Sequence, residues 1–312
     1  MRANQLTGIK PFNKFNFRSC YYHQLMAGLS CLGLSGDNIL LSDFIFVGED
    51  FTFDSTVFSS ERVRQKLAGY KSKKTKLTKK LLIKSIDHGR PVIAGIDCFY
   101  WESRKDTYRR IHDPHFILVY GYDLDKETLE IVDHDYRNSF QYEEKQVPLA
   151  KFLLANEKFC TDVLCRKTNC HVLRRNKWFK DRCGVLSHIE ESKLYKSCVN
   201  SQRNLERIKC LIVNDITLLA EKADDIVKYL NAIKLFLLRV RYTEMVEQEK
   251  DAKLAIDELI NGYTYLLALF WKITRQNNFD YAINRQGDIF RKIDSIIDTE
   301  QKFYDFIARF VK

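Results

Sequence analysis

Three residues far apart in the sequence, Cys20, His115 and Asp133, have the side chains that nucleophilic catalysis needs. A thiolate attacks a carbonyl carbon, an imidazole moves the proton, and a carboxylate holds the imidazole in one tautomer. Taken alone, a free cysteine is more often a small core residue. The three residues therefore form a candidate site only if the elements that carry them bring them together.

Two of the three residues lie in the stretch 89–135, which is rich in apolar and β-branched residues. A polar turn centred near Asp125 separates two strand-like runs and predicts an antiparallel hairpin. In that hairpin His115 lies about opposite Asp133, although a one-residue error in register would separate them. Asp135 necessarily shares a face with Asp133. The strand-like runs are residues 91–99, 115–122 and 129–133.

The cysteine lies where a loop enters a predicted helix. Ser19 is suited to the N-cap position, which places Cys20 in the first turn. Unpaired backbone amides and the helix dipole stabilise a thiolate there and lower its pKa. His23, one turn later, is the alternative base. The order cysteine, histidine, aspartate matches that of papain-like enzymes.

Four blocks of the sequence resemble the N-terminal domain family of butirosin biosynthesis protein H, a papain-fold family of natural-product pathways. The resemblance extends over about residues 15–155 and implies an α+β, papain-like cysteine peptidase fold with an antiparallel sheet. The blocks are residues 20–26, 41–53, 89–100, and 115–123 with 131–133.

The resemblance also implies roles for individual residues. Cys20 corresponds to the nucleophile, His115 to the base and Asp133 to the orienting acid. No glutamine stands at the usual upstream distance for a papain-type oxyanion hole, so Asn16 and Asn13 are the candidate side-chain donors. The founding member of the family moves an acyl group from a phosphopantetheine thioester on a carrier protein to an amine.

The leading functional hypothesis is therefore a cysteine acyltransferase of natural-product biosynthesis. Its partners would be an acidic acyl or peptidyl carrier protein and a small amine acceptor, with no cofactor of its own. If water replaces the amine, the same residues make a peptidase or a thioesterase. A non-catalytic docking protein that keeps the fold is the third alternative.

A basic run supplies a candidate dock for the carrier. Residues 61–80 contain nine lysines and arginines against one acid. Such a run is commonly a solvated face, but it also fits an acidic partner. Nucleic acid is disfavoured, because the run offers only Tyr70 for stacking on bases. The candidate docking residues are Lys71, Lys73, Lys74 and Lys76.

Composition limits the other possibilities. The chain has 312 residues, 45% hydrophobic content and a formal charge of +10, values typical of a folded, basic protein. Nine cysteines without a regular framework favour reduced thiols and a cytoplasmic location. No apolar run is long enough to span a membrane. Cys160, Cys165, Cys170 and His171 have the wrong spacing for zinc, so we expect no metal site.

The second half differs from the first. All four prolines and nine of the twelve glycines precede Leu149. Apolar residues at alternating spacings of three and four then predict three or four long helices. We therefore expect a papain-like domain over residues 1–175 and a helical bundle over residues 180–312. Alternatively, the same apolar helix faces could pair with a second copy of the chain and form a homodimer.

Overall fold

A computed structural model describes the chain in two compact units. The first contains residues 1–36 and 68–181, and the second contains residues 37–67 and 182–312. The described residues are 2–14, 19–54, 61–137, 139, 141–163, 168–177, 186, 189–276 and 278–311. The predicted α+β class, an antiparallel sheet followed by an all-helical region, is confirmed.

The first unit is built on a seven-stranded antiparallel sheet with the order β4-β9-β5-β6-β7-β8, and β1 pairs with β6. Its strands are β1 Ala3–Gln5, β4 Tyr70–Thr75, β5 Val92–Asp97, β6 Pro114–Asp123, β7 Thr128–Asp133, β8 Glu143–Pro148 and β9 Cys170–Arg175. Its helices are α1 Cys20–Cys31, α4 Lys79–Asp87 and α5 Leu149–Lys158. The predicted hairpin is the β6–β7 pair.

Helices cover both faces of this sheet. A Cβ atom at Gly28 of α1 would meet Leu118 and Leu173, which places α1 close against that face. Side chains alternate along a strand, so Ile117 and Val172 belong to the opposite face. They form one hydrophobic cluster with residues of α4 and α5. The central strand β5 is buried throughout as a result.

A β-bulge interrupts the pairing of β6 with β7. Val119 pairs with Ile131, whereas Gly121 pairs with Glu130. Two residues of β6 separate the first position from the second, but only one residue of β7 does. Tyr120 is thus the extra residue, and the register changes by one across it.

This change of register decides which side chains share a face. His115 lies on the face of Val119, four positions away, and Asp133 lies on the face of Ile131, two positions away. Because Val119 and Ile131 are partners, His115 and Asp133 share that face. If the register beyond the bulge continued without a break, Val119 would oppose Val132. Asp133 would then lie on the other side of the sheet from His115.

The second unit contains four long helices and several short elements. The apolar faces of the four long helices pack together in one core, so these faces are buried within a single chain. The predicted homodimer stays a prediction. The long helices are α6 Glu191–Asn214, α7 Ile216–Arg241, α9 Lys250–Gln276 and α11 Gln286–Ala308. The short elements are α2 Asp37–Leu40, β2 Phe46–Val47, β3 Phe53–Asp54, α3 Glu61–Leu67, α8 Glu244–Glu247 and α10 Asp280–Asn284.

Residues 37–67 pack with the helices, although the sequence-based division assigned them to the first domain. The hairpin of β2 and β3 lies on α6 through polar contacts. The amide of Val47 donates to Ser197 Oγ at 2.8 Å, and Asn200 Nδ2 donates to the Val47 carbonyl at 3.0 Å. Asn204 Nδ2 donates to the Gly48 carbonyl at 3.0 Å. These side chains follow one stripe of α6 and satisfy backbone groups that pair with no other strand.

Among the described cysteines, seven are free thiols and none forms a disulfide. No described helix combines the length and the apolar composition needed to cross a bilayer.

A buried carboxylate lies in the core of the second unit. Glu300 of α11 occupies a position that the apolar repeat of its helix would give to a hydrophobic residue, and it is 2% exposed. Tyr263 and Ser201 donate to Oε1 at 2.5 and 2.7 Å, whereas Oε2 has no hydrogen-bond partner among the described residues. Burial raises the pKa of Glu300 to about 7, against the lowering effect of the two hydrogen bonds.

We expect Glu300→Gln to remove part of the pH dependence of stability. The unfolded carboxyl ionises near its ordinary pKa of 4.5 and the folded one near 7. The unfolded state therefore holds fewer protons between these values, and the free energy of unfolding falls by about 3 kcal/mol as pH rises through that range. Glutamine keeps an acceptor for Tyr263 and Ser201 but does not ionise.

Urea denaturation of both proteins at pH 4.5, 6 and 8 measures this effect. Glu300→Gln should lose stability less steeply over that range and exceed the unsubstituted protein at pH 8. Parallel curves for the two proteins would contradict the assignment.

Candidate active site

The β6–β7 hairpin brings a buried histidine against a buried aspartate. His115 and Asp133 are 3% and 0% exposed, and His115 Nε2 lies 2.9 Å from Asp133 Oδ1. The second carboxylate oxygen accepts a hydrogen bond from Trp101 Nε1 at 2.7 Å. Each carboxylate oxygen of Asp133 therefore has a hydrogen-bond partner, and the hydrogen bond at Nε2 fixes the orientation of the His115 ring.

The third predicted residue, Cys20, lies at the first position of α1 and hydrogen-bonds to His115. Since His115 uses Nε2 for Asp133, Nδ1 is the nitrogen that faces the sulfur. Ser19 is the N-cap of this helix, as predicted, although its side chain makes no capping hydrogen bond. The structure thus brings Cys20, His115 and Asp133 together from three elements.

Charge in this cluster favours the thiolate. Burial opposes ionisation of Cys20, but the hydrogen bond and charge of His115, with the backbone amides of Phe116 and Tyr21, outweigh it. The pKa of the Cys20 thiol is therefore lowered from its ordinary value of 9.0. Burial likewise opposes protonation of His115, and the hydrogen bonds to Asp133 and Cys20 overcome it, raising its pKa to about 9. Both shifts favour a thiolate–imidazolium pair over the neutral thiol and imidazole.

The carboxylate stays ionised despite its complete burial. Burial raises the pKa of Asp133. The hydrogen bond and charge of His115 and the hydrogen bond from the indole of Trp101 lower the pKa by more than burial raises it, so the net pKa lies below 3.8. A buried charge is tolerated where an opposite charge and hydrogen bonds compensate for the lost water. Asp133 is compensated in both ways.

A second buried histidine packs against the first. The ring of His134 lies 4.8 Å from that of His115, centroid to centroid, at 72°. Its Nδ1 donates to the Tyr136 carbonyl at 2.6 Å, and its Nε2 faces Arg104 at 3.3 Å. Burial, with the charges of His115 and Arg104, lowers the pKa of His134 to about 4. His134 is therefore neutral and leaves the positive charge on His115.

His115, Asp133 and His134 also have ligand atoms within 4.8 Å of one another, a spacing that would suit a metal ion. Their partners argue against one. His115 Nε2 already bonds to Asp133, and both nitrogens of His134 are engaged, one of them with the guanidinium of Arg104. A cation placed there would be repelled by Arg104.

The alternative residues have other partners. Asp135, which shares a face with Asp133, forms ion pairs with Lys105 and Lys145. His23, the alternative base, lies with Nδ1 3.0 Å from the Phe12 carbonyl, and its ring stacks on Tyr142 at 4.8 Å.

Asn13, one of the two oxyanion candidates, is hydrogen-bonded to Tyr142. Asn13 bonds to both backbone groups of Tyr142, donating to its carbonyl and accepting from its amide at 2.8 Å each. This clamp ties the segment before α1 to the strand region before β8. Asn16 lies outside the described residues. An oxyanion role for either side chain stays a prediction.

Sequence reasoning considered Trp101 only as a lining residue of an acyl pocket and missed its hydrogen bond to Asp133, and it missed His134. Trp101 follows β5 at a short 3₁₀ turn, Cys98–Tyr100, which Asp97 caps through the amide of Phe99. Nothing in the local pattern shows that this turn carries the indole back to the end of β7. His134 adjoins Asp133 in sequence, and that adjacency was the one available signal.

The predicted docking lysines lie on or next to an edge of the sheet. Strand β4 pairs only with β9, so it forms the edge that carries Lys71, Lys73 and Lys74, and Lys76 follows it. All four side chains are exposed. Lysines on an edge strand also prevent pairing with other chains, which explains part of the run without any partner. Carrier docking stays a prediction.

We expect Cys20 to be alkylated by iodoacetamide faster at pH 6–7 than an ordinary thiol, because its pKa is lowered. His115→Ala removes the hydrogen bond and the charge while burial remains, so the alkylation rate at pH 6 should fall at least about tenfold. Peptide-level mass spectrometry measures the rate at each cysteine.

Other cysteines of the same chain serve as controls. Cys210 is exposed and should be unaffected by His115→Ala. Cys98 and Cys170 are buried, and burial raises the pKa of each to about 12, so both should stay unmodified. Equal alkylation rates at Cys20 with and without His115 would contradict the ion pair.

Comparison with known proteins adds one finding. No curated protein matches the chain. Residues 42–134 match the family described as butirosin biosynthesis protein H, N-terminal. This match includes His115 and Asp133 and begins after Cys20, and within residues 42–134 the family resemblance deduced from the sequence is confirmed.

Proposed function

We propose that the chain is a cysteine-dependent acyltransferase with a papain-like catalytic unit. The observation that supports it best is the Cys20–His115–Asp133 cluster, in which the thiol pKa is lowered and the imidazole pKa is raised to about 9. A structural cysteine gains nothing from a buried imidazolium, whereas a nucleophile does. The cysteine at the start of a helix, with histidine and aspartate on an antiparallel sheet, is the papain-like arrangement.

In the first step the Cys20 thiolate attacks the carbonyl carbon of a thioester. The tetrahedral intermediate collapses, the carbon–sulfur bond to the leaving thiol breaks, and protonated His115 gives that thiol its proton. One thioester replaces another, so this step is nearly balanced in energy. The product is an acyl group on Cys20 and a neutral His115.

In the second step an amine attacks the acyl-cysteine. Neutral His115 takes the proton that the amine loses, and the Cys20 thiolate leaves as the amide forms. The thiolate–imidazolium pair is then restored. Asp133 keeps the imidazole oriented in both steps, because its bond to Nε2 leaves Nδ1 directed at the sulfur.

Each step passes through an oxyanion that needs donors. Cys20 is the first residue of α1, where backbone amides have no helical acceptor. Its own amide is therefore the first donor that we assign, and the dipole of α1 adds to it. Asn13 and Asn16 are the candidates for a second donor.

The family match supports the biological setting. The matched family is named for butirosin biosynthesis, which suggests a role in making natural products. In that setting the acyl or peptidyl donor is a phosphopantetheine thioester on an acidic carrier protein. The chain itself then needs no cofactor. The exposed lysines of β4 give the first unit a positive edge that fits such a carrier.

Hydrolysis is the competing chemistry, since water in place of the amine turns the same site into a thioesterase or peptidase. A docking protein without catalysis is the second competitor. The raised pKa of His115 speaks against the docking protein, but it serves both kinds of enzyme equally. The fate of the acyl-cysteine separates them.

We expect the protein to form an acyl adduct on Cys20 when mixed with an acylated carrier protein or an acyl-pantetheine thioester. The adduct should persist until an amine is added and should then be lost as amide. Intact-protein mass spectrometry follows both stages. Cys20→Ala should abolish the adduct without changing the melting temperature by more than a few degrees.

Cys210→Ala, which removes an exposed thiol, is the matched control and should retain the adduct. Release of free acid at a rate that does not depend on amine would establish the hydrolase instead. Unchanged substrate in all proteins would favour the docking protein.

A separate expectation concerns the carrier. Reversal of Lys73, Lys74 and Lys76 to glutamate should raise the KM for carrier-bound substrate, and added salt should reduce activity of the unsubstituted protein in the same way. Turnover of a small acyl-pantetheine thioester should stay nearly unchanged. Glutamates still carry charge on the edge strand, so the protein should remain monodisperse. Equal losses on both substrates would show that these lysines do not bind the carrier.

A further inference from the structure

A basic cavity lies at the end of the first unit's sheet remote from the β6 end that carries His115. It has a volume of about 470 Å³, within the range of small-molecule sites. Five cationic side chains line it. None of the described residues that line it is acidic, and none of them is phenylalanine, tyrosine or tryptophan. The cationic residues are Lys71, Arg90, Arg174, Arg175 and Lys177.

The strands force some of these charges together. Lys71 of β4 is the direct partner of Arg174 of β9, so two cations lie opposite each other on one face of the sheet. Like charges in directly opposed positions destabilise a sheet. Arg175 belongs to the other face, where its guanidinium reaches the start of the loop after α1, near Gly33. The cavity thus collects cations from both faces of the sheet.

No described residue forms an ion pair with these five side chains. Helix ends do not explain them either. The loop backbones after α1 and α4 already cap their last carbonyls. After α1, Gly33 donates to Ser30 and Leu34 to Leu29, and after α4, Gly89 donates to Ile86 and Arg90 to Ser85. Cations are commonly placed at such ends, but here backbone amides already bond several of the last carbonyls.

We propose that this cavity binds the diphosphate group of a small anionic ligand, at a second site separate from Cys20. Guanidinium groups bind phosphate oxygens through two parallel hydrogen bonds, and ammonium groups add charge. A diphosphate matches five cations more closely than a single phosphate does. Among the described lining residues the imidazole of His88 is the one ring beside five cations, which favours recognition of the anion over that of a base or an acyl chain.

The two sites are separated by the length of α1. Cys20 begins this helix and the cavity includes Leu32, the residue that follows its last turn. Twelve helical residues span about 18 Å. A diphosphate in the cavity therefore cannot be the group that reacts with Cys20. The inference does not depend on the acyl transfer proposed above.

Isothermal titration of the full chain with inorganic pyrophosphate tests the proposal, with sulfate at equal ionic strength as the baseline. The double variant Arg90→Gln/Arg174→Gln should weaken pyrophosphate binding at least about tenfold, because it removes two charge-assisted contacts. Arg174→Gln alone should keep or raise the melting temperature, since it relieves the repulsion from Lys71.

The first unit offers a matched control in a second basic cavity, of about 640 Å³, which includes Lys80 and Lys84 but also Asp87. Lys80→Gln/Lys84→Gln removes the same net charge and should leave pyrophosphate binding within about twofold. Adenosine diphosphate is the second ligand and should bind about as tightly as pyrophosphate, since none of the described lining residues is phenylalanine, tyrosine or tryptophan.

Three outcomes would overturn the proposal. Pyrophosphate that binds no tighter than sulfate would show a general positive surface. Equal weakening by both double variants would show that net charge alone attracts the anion. Binding of adenosine diphosphate without binding of pyrophosphate would assign the cavity to a nucleoside instead.

Discussion

The candidate site depends on one extra residue in a β-strand. Tyr120 is inserted into β6 without a counterpart in β7, and the register on the His115 side differs by one from the register near the turn. Side chains alternate with a period of two, so this single insertion decides whether His115 and Asp133 share a face. Tyr120 is itself held in place, because it is buried and its hydroxyl donates to Glu144 at 2.6 Å. The bulge is therefore a fixed part of the sheet.

Once His115 and Asp133 share a face, burial makes their pairing strong. Both are shielded from bulk solvent, so each charge is stabilised mainly by the other, by Trp101 on one side and by Cys20 on the other. His134 contributes by staying neutral, since its nitrogens are engaged with Tyr136 and Arg104. The result is that one imidazole in a crowded cluster carries the positive charge that a thiolate needs.

Local patterns in the sequence predicted the strands, the hairpin and the helical half, because alternation and the 3–4 repeat are properties of neighbouring residues. They could not predict interactions made across long separations. The polar stripe of α6 that holds residues 46–54 consists of serines and asparagines, which carry no apolar signal. The apolar residues from Ile212 to Val240, spaced three and four apart, also continue across a break between two helices. There Asp215 caps α7 by accepting a hydrogen bond from the amide of Leu218. Ile212 therefore belongs to α6 and not to α7, and the capping residue marks this helix boundary whereas the apolar spacing does not.

Asp133 of the first unit and Glu300 of the second are both buried carboxylates, and their contrast shows that partners rather than burial decide the charge. Burial raises the pKa of both Asp133 and Glu300. Asp133 faces an imidazolium and an indole donor, so its net pKa falls. Within the described part of the chain Glu300 accepts hydrogen bonds only from the hydroxyls of Tyr263 and Ser201, and burial raises its pKa to about 7. The two carboxyls therefore change the stability of the folded state with pH in opposite directions. Asp133 stabilises the folded state above its unfolded pKa of 3.8, and this stabilisation is lost as pH falls. Glu300 stabilises the folded state below pH 4.5, and this stabilisation is lost as pH rises to about 7. The raised pKa of His115 adds stability that is complete below 6.5 and is lost progressively as pH rises from there to about 9. At neutral pH both members of the His115–Asp133 pair are therefore charged in the folded state, while the core of the second unit has lost most of the contribution of its protonated carboxyl.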